Sequence, residues 1–269
     1  GIVQMEVSQN KSDNLKRAGE MILEAGEKGA DLIVLPEMFN CPYQQDCFPQ
    51  FAEEIISGET VAFLSKAARK TGSYLNGGSI PERDGGKIYN TSLTFDPEGN
   101  LIAKHRKMHL FDIAIPGKIE FRESAVLTPG NDPTVFTTEY GVLGVAICYD
   151  LRFPELFRLL VDGGAVGVIV PAAFNLTTGP AHWETLFRAR AIDNQIFMIG
   201  TSPARNEKAG YIAYGHSLVV DPWGEVLWKA GTGAEVAVVP LETEQVIQVR
   251  EDLPLLAHRR LDRYQVKKV

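Results

Sequence analysis

The stretch Ser92-Leu-Thr-Phe-Asp-Pro-Glu-Gly-Asn-Leu-Ile-Ala-Lys104 returns without a gap as Ser217-Leu-Val-Val-Asp-Pro-Trp-Gly-Glu-Val-Leu-Trp-Lys229, 125 residues later, sharing Ser, Leu, Asp, Pro, Gly and Lys. Both copies read as β-hairpins. Asp-Pro-x-Gly supplies the turn in each, with Pro fixing φ and Gly taking the positive-φ position. Upstream, Gly29-Ala-Asp-Leu-Ile-Val-Leu-Pro-Glu-Met-Phe-Asn40 returns as Gly164-Ala-Val-Gly-Val-Ile-Val-Pro-Ala-Ala-Phe-Asn175, 135 residues on, sharing Gly, Ala, Pro, Phe and Asn. Each half therefore runs helix, buried strand, Pro-terminated loop, helix, strand, hairpin.

Other local signals agree with that order. Asn14 to Lys28 carries Leu15, Ala18, Ile22 and Ala25 on one face, opens near Ser12 or Asp13 as N-cap and stops at Gly29. Thr60 to Lys70 and His182 to Asn194 read as the second helices, and Ile2 to Val7 as an opening strand. Leu32 to Leu35 and Val166 to Val170 are too short for helices and read as strands covered on both faces. Two strand-rich halves that each bear helices stack most economically sheet on sheet with helices outside. The expected fold is α/β, a four-layer αββα sandwich with an internal pseudo-two-fold repeat. No Ser-rich, Pro-rich or single-charge linker divides the chain, so residues 1–269 are expected to form one domain.

Composition narrows the class of partner. The 269 residues are 45% hydrophobic and 23% charged, ordinary for a globular chain. The net charge of −7 is opposite to what a nonspecific phosphate-backbone binder needs, so nucleic acid is not an expected partner. The longest mainly apolar stretch, Gly163 to Phe174, is 12 residues, against about 18 to 20 for a membrane span. Glu6, Lys11 and Asp13 interrupt any signal-peptide core. Three cysteines, Cys41, Cys47 and Cys148, suit a reducing compartment better than a disulfide scaffold, and the expected location is the cytoplasm.

Three residues stand where strands end. Cys148 closes the run Val142-Leu-Gly-Val-Ala-Ile147, Glu37 follows the strand-ending Pro36, and Lys107 lies just past the first hairpin in Lys104-His-Arg-Lys-Met-His109. Loops at carboxyl ends of strands commonly carry catalytic groups. Each residue also has an ordinary reading: a packed thiol, a helix-start carboxylate, a solvated strand end. The comparison between halves favours function, because the copy of Glu37 is Ala172.

Leu35-Pro-Glu-Met, His105-Arg-Lys-Met-His and Ala146-Ile-Cys-Tyr-Asp-Leu-Arg-Phe-Pro-Glu155, in this order, resemble the Glu, Lys and Cys signatures of the carbon–nitrogen hydrolase (nitrilase) family across practically the whole chain. Phe111 to Ser124 and Asn175-Leu-Thr-Thr-Gly-Pro-Ala-His-Trp-Glu184 resemble its ω-amidase branch. The resemblance implies the αββα sandwich, a homodimer that extends it to eight layers, and a cofactor-free amidase. It also implies a second glutamate, Glu123, that positions base and substrate, and the backbone N–H of Tyr149 as an oxyanion donor.

The three residue types support a mechanism. A thiol near pKa about 8.5 needs a base beside it to attack an amide. Glu37 would take the Cys148 proton, Lys107 would stabilise the oxyanion, and Glu37 would then protonate departing ammonia and activate the water that hydrolyses the thioester.

The ω-amidase resemblance implies the distal amide of a small dicarboxylic monoamide such as α-ketoglutaramate or α-ketosuccinamate. Its free carboxylate needs a cationic or hydroxyl partner. Arg152 is the candidate carried by resemblance, with an ion pair to Glu155 or a neighbouring helix as its other reading. Tyr43 and Phe174 follow the two echoed strands and are candidates to line the pocket, as, more weakly, are Thr201 and Ser202.

Neighbouring readings are an N-carbamoyl or deaminated-glutathione type amidase, a nitrile hydrolase, and an inactive binding protein on the same fold. No His-Glu-x-x-His, Cys-x-x-Cys or Asp-x-Asp occurs, so no metal is expected. Gly85-Gly86 before Lys87 reads as a hairpin turn rather than a phosphate loop. The helix expected at Pro154 to Gly163, with Leu156, Phe157, Leu159, Leu160 and Val161, has more apolar surface than one core stripe needs, and is expected to join the tail, Arg250 to Val269, in the homodimer contact.

Overall fold

The computed structural model describes residues 1–117 and 119–269. The first half contains β1 (Ile2–Gln4), α1 (Lys11–Glu27), β2 (Leu32–Val34), α2 (Phe48–Phe51), α3 (Glu59–Thr71), β3 (Tyr74–Asn76), β4 (Ile80–Asp84), β5 (Lys87–Phe95) and β6 (Leu101–Arg106). A separate ribbon, β7 (Asp112–Ile115) and β8 (Ile119–Arg122), follows. The second half contains β9 (Thr134–Thr138), β10 (Gly141–Val145), α4 (Pro154–Asp162), β11 (Gly167–Pro171), α5 (Gly179–Asn194), β12 (Phe197–Thr201), β13 (Leu218–Val220) and β14 (Val226–Lys229). The chain closes with β15 (Glu235–Ala237) and α6 (Glu244–Asp252).

The repeat is visible strand by strand. In one sheet β1, β2 and β3 are parallel neighbours and β5 and β6 follow antiparallel; in the other β10, β11 and β12 are parallel and β13 and β14 follow antiparallel. The C-terminal β15 lies antiparallel on β1 as β9 does on β10. The hairpins share their irregularity as well. Leu93 faces Lys104 and Leu218 faces Lys229, and the register slips at Thr94/Phe95 and at Val219/Val220. Gly99 and Gly224 hold φ of +80° and +89°, as the turn chemistry requires.

Side-chain alternation builds the layers. Val34 and Ile169 meet Ile2, Val145, Ile199 and Val219 in a core between the sheets. Their neighbours Ile33 and Leu35 pack under α1 and α3, and Val168 and Val170 under α4 and α5. This is the helix–sheet–sheet–helix order expected of strands buried on both faces.

Element ends differ from the sequence reading for local reasons. α1 starts at Lys11 because Asn10 caps it, its Oδ1 accepting from Asp13 N at 3.2 Å. Asn14 is buried inside that first turn and bonds both Ser8 N and Ser8 O. α5 starts at Gly179 rather than His182, after Asn175 Oδ1 has collected the N–H groups of Thr177 and Thr178. The opening strand stops at Gln4.

The apolar excess on α4 is absorbed inside the chain. Leu156, Phe157, Leu160 and Val161 are buried and Leu159 is half-buried. Only the start of the tail is helical, through Asp252, and Arg259 pairs with Asp162 at the end of α4. No described helix is long and apolar enough to cross a membrane.

Candidate active site

The loop after β2 brings Glu37 fully inside the protein on a strained turn. Met38, the next residue, sits at φ +51°, unusual for a residue with a Cβ. Two neighbours hold the turn. Ser79 Oγ accepts from Met38 N at 3.0 Å, and Gly78 passes so close that a Cβ would lie 2.0 Å from Pro36 O. Cys148 occupies a second strained position, φ +46°, where β10 gives way to a short 3-10 turn over Cys148–Arg152. Lys107 follows β6 directly, its N–H bonded to Asn90 O at 2.8 Å and its carbonyl accepting from Gly130 N at 2.8 Å.

These loops converge. Lys107 Nζ lies 2.9 Å from Glu37 Oε1 and 2.9 Å from Glu123 Oε1, all three side chains fully buried. Glu37 Oε1 also accepts from Asn90 Nδ2 at 2.8 Å. Its Oε2 accepts from Ala173 N at 2.8 Å, so the second half's copy of the Pro-ended loop holds the first half's carboxylate. The Cys148 thiol adjoins Glu37 and favours its charged form. Glu123 is fixed by Phe111 N at 2.6 Å and by the Tyr43 hydroxyl, which donates to Oε1 at 2.6 Å.

Burial and charge set the proton positions. Burial pushes the Glu37 carboxyl up, and the Lys107 ammonium opposes this without cancelling it, which makes Glu37 a stronger base than a carboxylate in water. Burial also raises the Cys148 thiol well above its ordinary value, and the Glu37 charge adds to it. Lys107 keeps its proton. Burial alone would strip it, but Glu123 and Glu37 raise it well above the usual lysine range. The arrangement sets a thiol beside a buried carboxyl group and a fixed ammonium.

A cavity of ≈ 300 Å³ reaches this cluster through Glu37 and is lined also by Tyr43, Ala173, Tyr211, Gln44 and Lys208, while Lys107, Glu123 and Cys148 lie behind its wall. That is the lower end of small-ligand pockets. Tyr43 therefore lines the cavity and also touches Glu123. Thr201 does not reach it. It is still within β12, paired with Pro171, and is fully buried behind the loop that holds Glu37. Ser202 is likewise buried, its N–H on Ser217 Oγ.

Phe174 packs edge-on to Trp183 in the core instead of lining this cavity. The Arg152 guanidinium lies 5.0 Å over the Phe174 ring and donates to His182 Nδ1 at 3.1 Å, rather than pairing with Glu155. Tyr149 occupies the first turn after the nucleophile, where N–H groups have no intrahelical acceptor. Among the described residues no group of His, Cys, Asp or Glu is placed to hold a metal ion.

Asn90, Tyr211 and the Ala173 N–H are absent from the sequence reading. Asn90 sits in an unremarked Asn-Thr-Ser run, Tyr211 in a patternless loop, and a backbone donor has no residue identity to read.

The carbon-nitrogen hydrolase family matches residues 1–251. This chain belongs to that family. The omega-amidase NIT2-A of Xenopus laevis is 52% identical over 266 residues, which cover 99% of this hydrolase and 96% of that protein. Saccharomyces cerevisiae Nit3, a member of branch 10 of the nitrilase superfamily, matches with TM-score 0.87 and 44% identity over 96% of this chain and 95% of that one. A variant of the Nesterenkonia sp. AN1 amidase, solved with acrylamide added at its active site cysteine, matches with TM-score 0.75 and 26% identity over 94% and 96%. The hydrolase acts on carbon–nitrogen bonds of linear amides.

Proposed function

We propose that this hydrolase releases ammonia from the distal amide of small dicarboxylic monoamides, of the α-ketoglutaramate and α-ketosuccinamate type, through a thioester on Cys148. The observation that carries the reading is the buried Glu37–Lys107–Glu123 chain of 2.9 Å contacts next to the thiol. Glu37 takes the Cys148 proton as sulfur attacks the amide carbon. Lys107 and the Tyr149 N–H face the oxyanion. The tetrahedral adduct collapses with the proton passing from Glu37 to the leaving nitrogen; Glu37 then takes a proton from the water that attacks the thioester and returns it to the Cys148 sulfur as the acid leaves. Glu123 and Tyr43 keep Lys107 aimed.

Substrate class is supported by the omega-amidase relatives and by Arg152. Its buried Nε has no partner among the described residues, and the guanidinium lies over Phe174, which adjoins the Ala173 that binds Glu37. A substrate carboxylate would satisfy that donor. Arg152 is thus the partner for the substrate carboxylate, held in place over Phe174, and Lys208 beside the cavity is a further cation.

The reading extends to a homodimer through α4 and the tail, supported by exposed Leu255, Leu261 and Tyr264 beside the Arg259–Asp162 pair. It also extends to a cytoplasmic location, supported by three free cysteines. Light scattering at micromolar concentration checks the dimer, and a monomer would remove it.

The deciding assay follows ammonia release from α-ketoglutaramate, an N-carbamoyl amino acid and an aliphatic nitrile, with Cys148→Ala as control. Release from the keto-amide by wild type alone supports the reading. Release only from the carbamoyl compound would transfer the enzyme to that neighbouring specificity.

A further inference from the structure

Asp150 stands two residues past the nucleophile and is fully buried. Its Oδ2 accepts from Ile147 N at 2.9 Å and faces His105 Nε2 at 3.3 Å. Its Oδ1 accepts from His109 N at 2.9 Å and from His109 Nδ1 at 2.7 Å. Ile147 immediately precedes Cys148, while His105 and His109 flank Lys107 two residues to either side. One carboxylate therefore ties the loop carrying the nucleophile to both ends of the loop carrying the ammonium.

The tie meets a mechanical need. Cys148 holds a left-handed backbone that its Cβ disfavours, and such a position persists only where surrounding bonds over-determine it. The other bonds on the Lys107 backbone, to Asn90 and Gly130, do not reach the Cys148 loop and leave its distance from Cys148 unset. His105 is anchored behind by Thr134 Oγ1 at 3.1 Å. His109 is partly exposed, and its ring stacks on Phe153 at 3.6 Å and 9°, just past the nucleophile's turn.

Burial alone would raise the Asp150 carboxyl, but hydrogen bonds from His105, His109 and the Ile147 N–H hold it well below the usual carboxylate range. It is an anion throughout the neutral range. An amide in its place would turn an NH2 toward one of the donors, so the four-way tie needs both oxygens.

We propose that Asp150, with His109, is a positioning clamp that sets the separation of Lys107 from the Cys148 adduct. The inference rests on the Cys–Glu–Lys reading above. It predicts a loss confined to the chemical step, since displacing a stabilising group by about 1 Å costs up to about 100-fold while leaving ground-state binding intact.

The test compares His109→Phe, which keeps a ring on Phe153 but removes Nδ1, with His109→Asn, whose amide nitrogen takes the Nδ1 place, and with Asp150→Asn. Ammonia release gives kcat and KM per folded molecule, and urea midpoints give stability. His109→Phe is expected to lower kcat about tenfold with KM within about twofold, Asp150→Asn to lower it about 100-fold, and His109→Asn to restore most of the loss. Unchanged kcat per folded molecule in His109→Phe, or an Asn variant as poor as Phe, overturns the clamp. If wild type is silent on every amide, the functional reading fails instead. The clamp is then judged by iodoacetamide capture of Cys148, which His109→Phe must slow and His109→Asn restore.

Discussion

The loops Pro36-Glu37-Met38 and Pro171-Ala172-Ala173 leave equivalent strands of equivalent sheets, yet one presents a carboxylate and the other a backbone N–H that binds it. The same asymmetry holds for the other two groups. The hairpin offset makes Thr232 the copy of Lys107. The pairings Ile2 with Val34 and Val145 with Ile169 make Met5 the copy of Cys148. Neither Ala172, Thr232 nor Met5 carries an ionisable group. The repeat supplies a rigid frame with four loop ends meeting between the halves. The chemistry comes from breaking the repeat, with base and cation drawn from one copy and nucleophile from the other.

Moving the carboxylate from one copy to the other tests this asymmetry most severely. Glu37→Gln keeps the hydrogen-bond acceptor toward Lys107 but removes the base, and is expected to lower kcat on the order of 1000-fold. Ala172→Glu places a charge at a fully buried position. It is expected to destabilise the fold by about 3 kcal/mol or more. The double variant should stay inactive in the ammonia assay. Recovery of ammonia release would show that either copy can house the base.

A smaller effect is expected on pH dependence. The Lys107 charge lowers the Glu37 carboxyl against the larger upward push of burial. Removing that charge must raise it further, and a base works only when deprotonated. In Lys107→Met the acid limb of kcat/KM should therefore move to higher pH. The rate itself falls with the lost oxyanion partner, and stability falls by about 3 to 5 kcal/mol because two buried carboxylates lose their counter-ion. Asn90→Leu tests the same point more gently, since it deletes one donor to the charged form of Glu37. An acid limb that stays in place in both variants would assign it to a group other than Glu37.

Much of this frame is legible in the residues because its signals are local. Asp-Pro-x-Gly fixes two hairpins and their shared slip, and Pro36 and Pro171 mark where strands give way to loops. The Glu37, Lys107 and Cys148 motifs each lie within a few residues of a strand end. What escaped depends on partners far apart in the chain. Asp150 is meaningful only once the loop of Lys107 lies across from it, 41 residues away at His109. Asn90 matters only through the approach of β2's loop, 53 residues away. Thr201 lies off the cavity for a related reason. Its pairing with Pro171 carries β12 one residue further than an isolated apolar run reveals, and turns its side chain into the protein.

The smallest effect separates the two hairpin turns themselves. Gly99 and Gly224 share their φ and their Gly N–H to Asp C=O bond, at 2.9 and 3.0 Å. An alanine at either incurs the left-handed penalty of about 1 to 2 kcal/mol. The walls differ, however. A Cβ at Gly99 would lie 2.5 Å from the Ser65 carbonyl oxygen, part of the α3 backbone, whereas at Gly224 it would meet the end of the Ile192 side chain at 2.6 Å. Ile192 is exposed and free to change rotamer, but the helix carbonyl is not. Gly99→Ala should therefore lower the urea midpoint more than Gly224→Ala, with ammonia release per folded molecule unchanged in both. Equal midpoints would mean that α3 yields as readily as a surface side chain, and that the two halves are more alike in compliance than in chemistry.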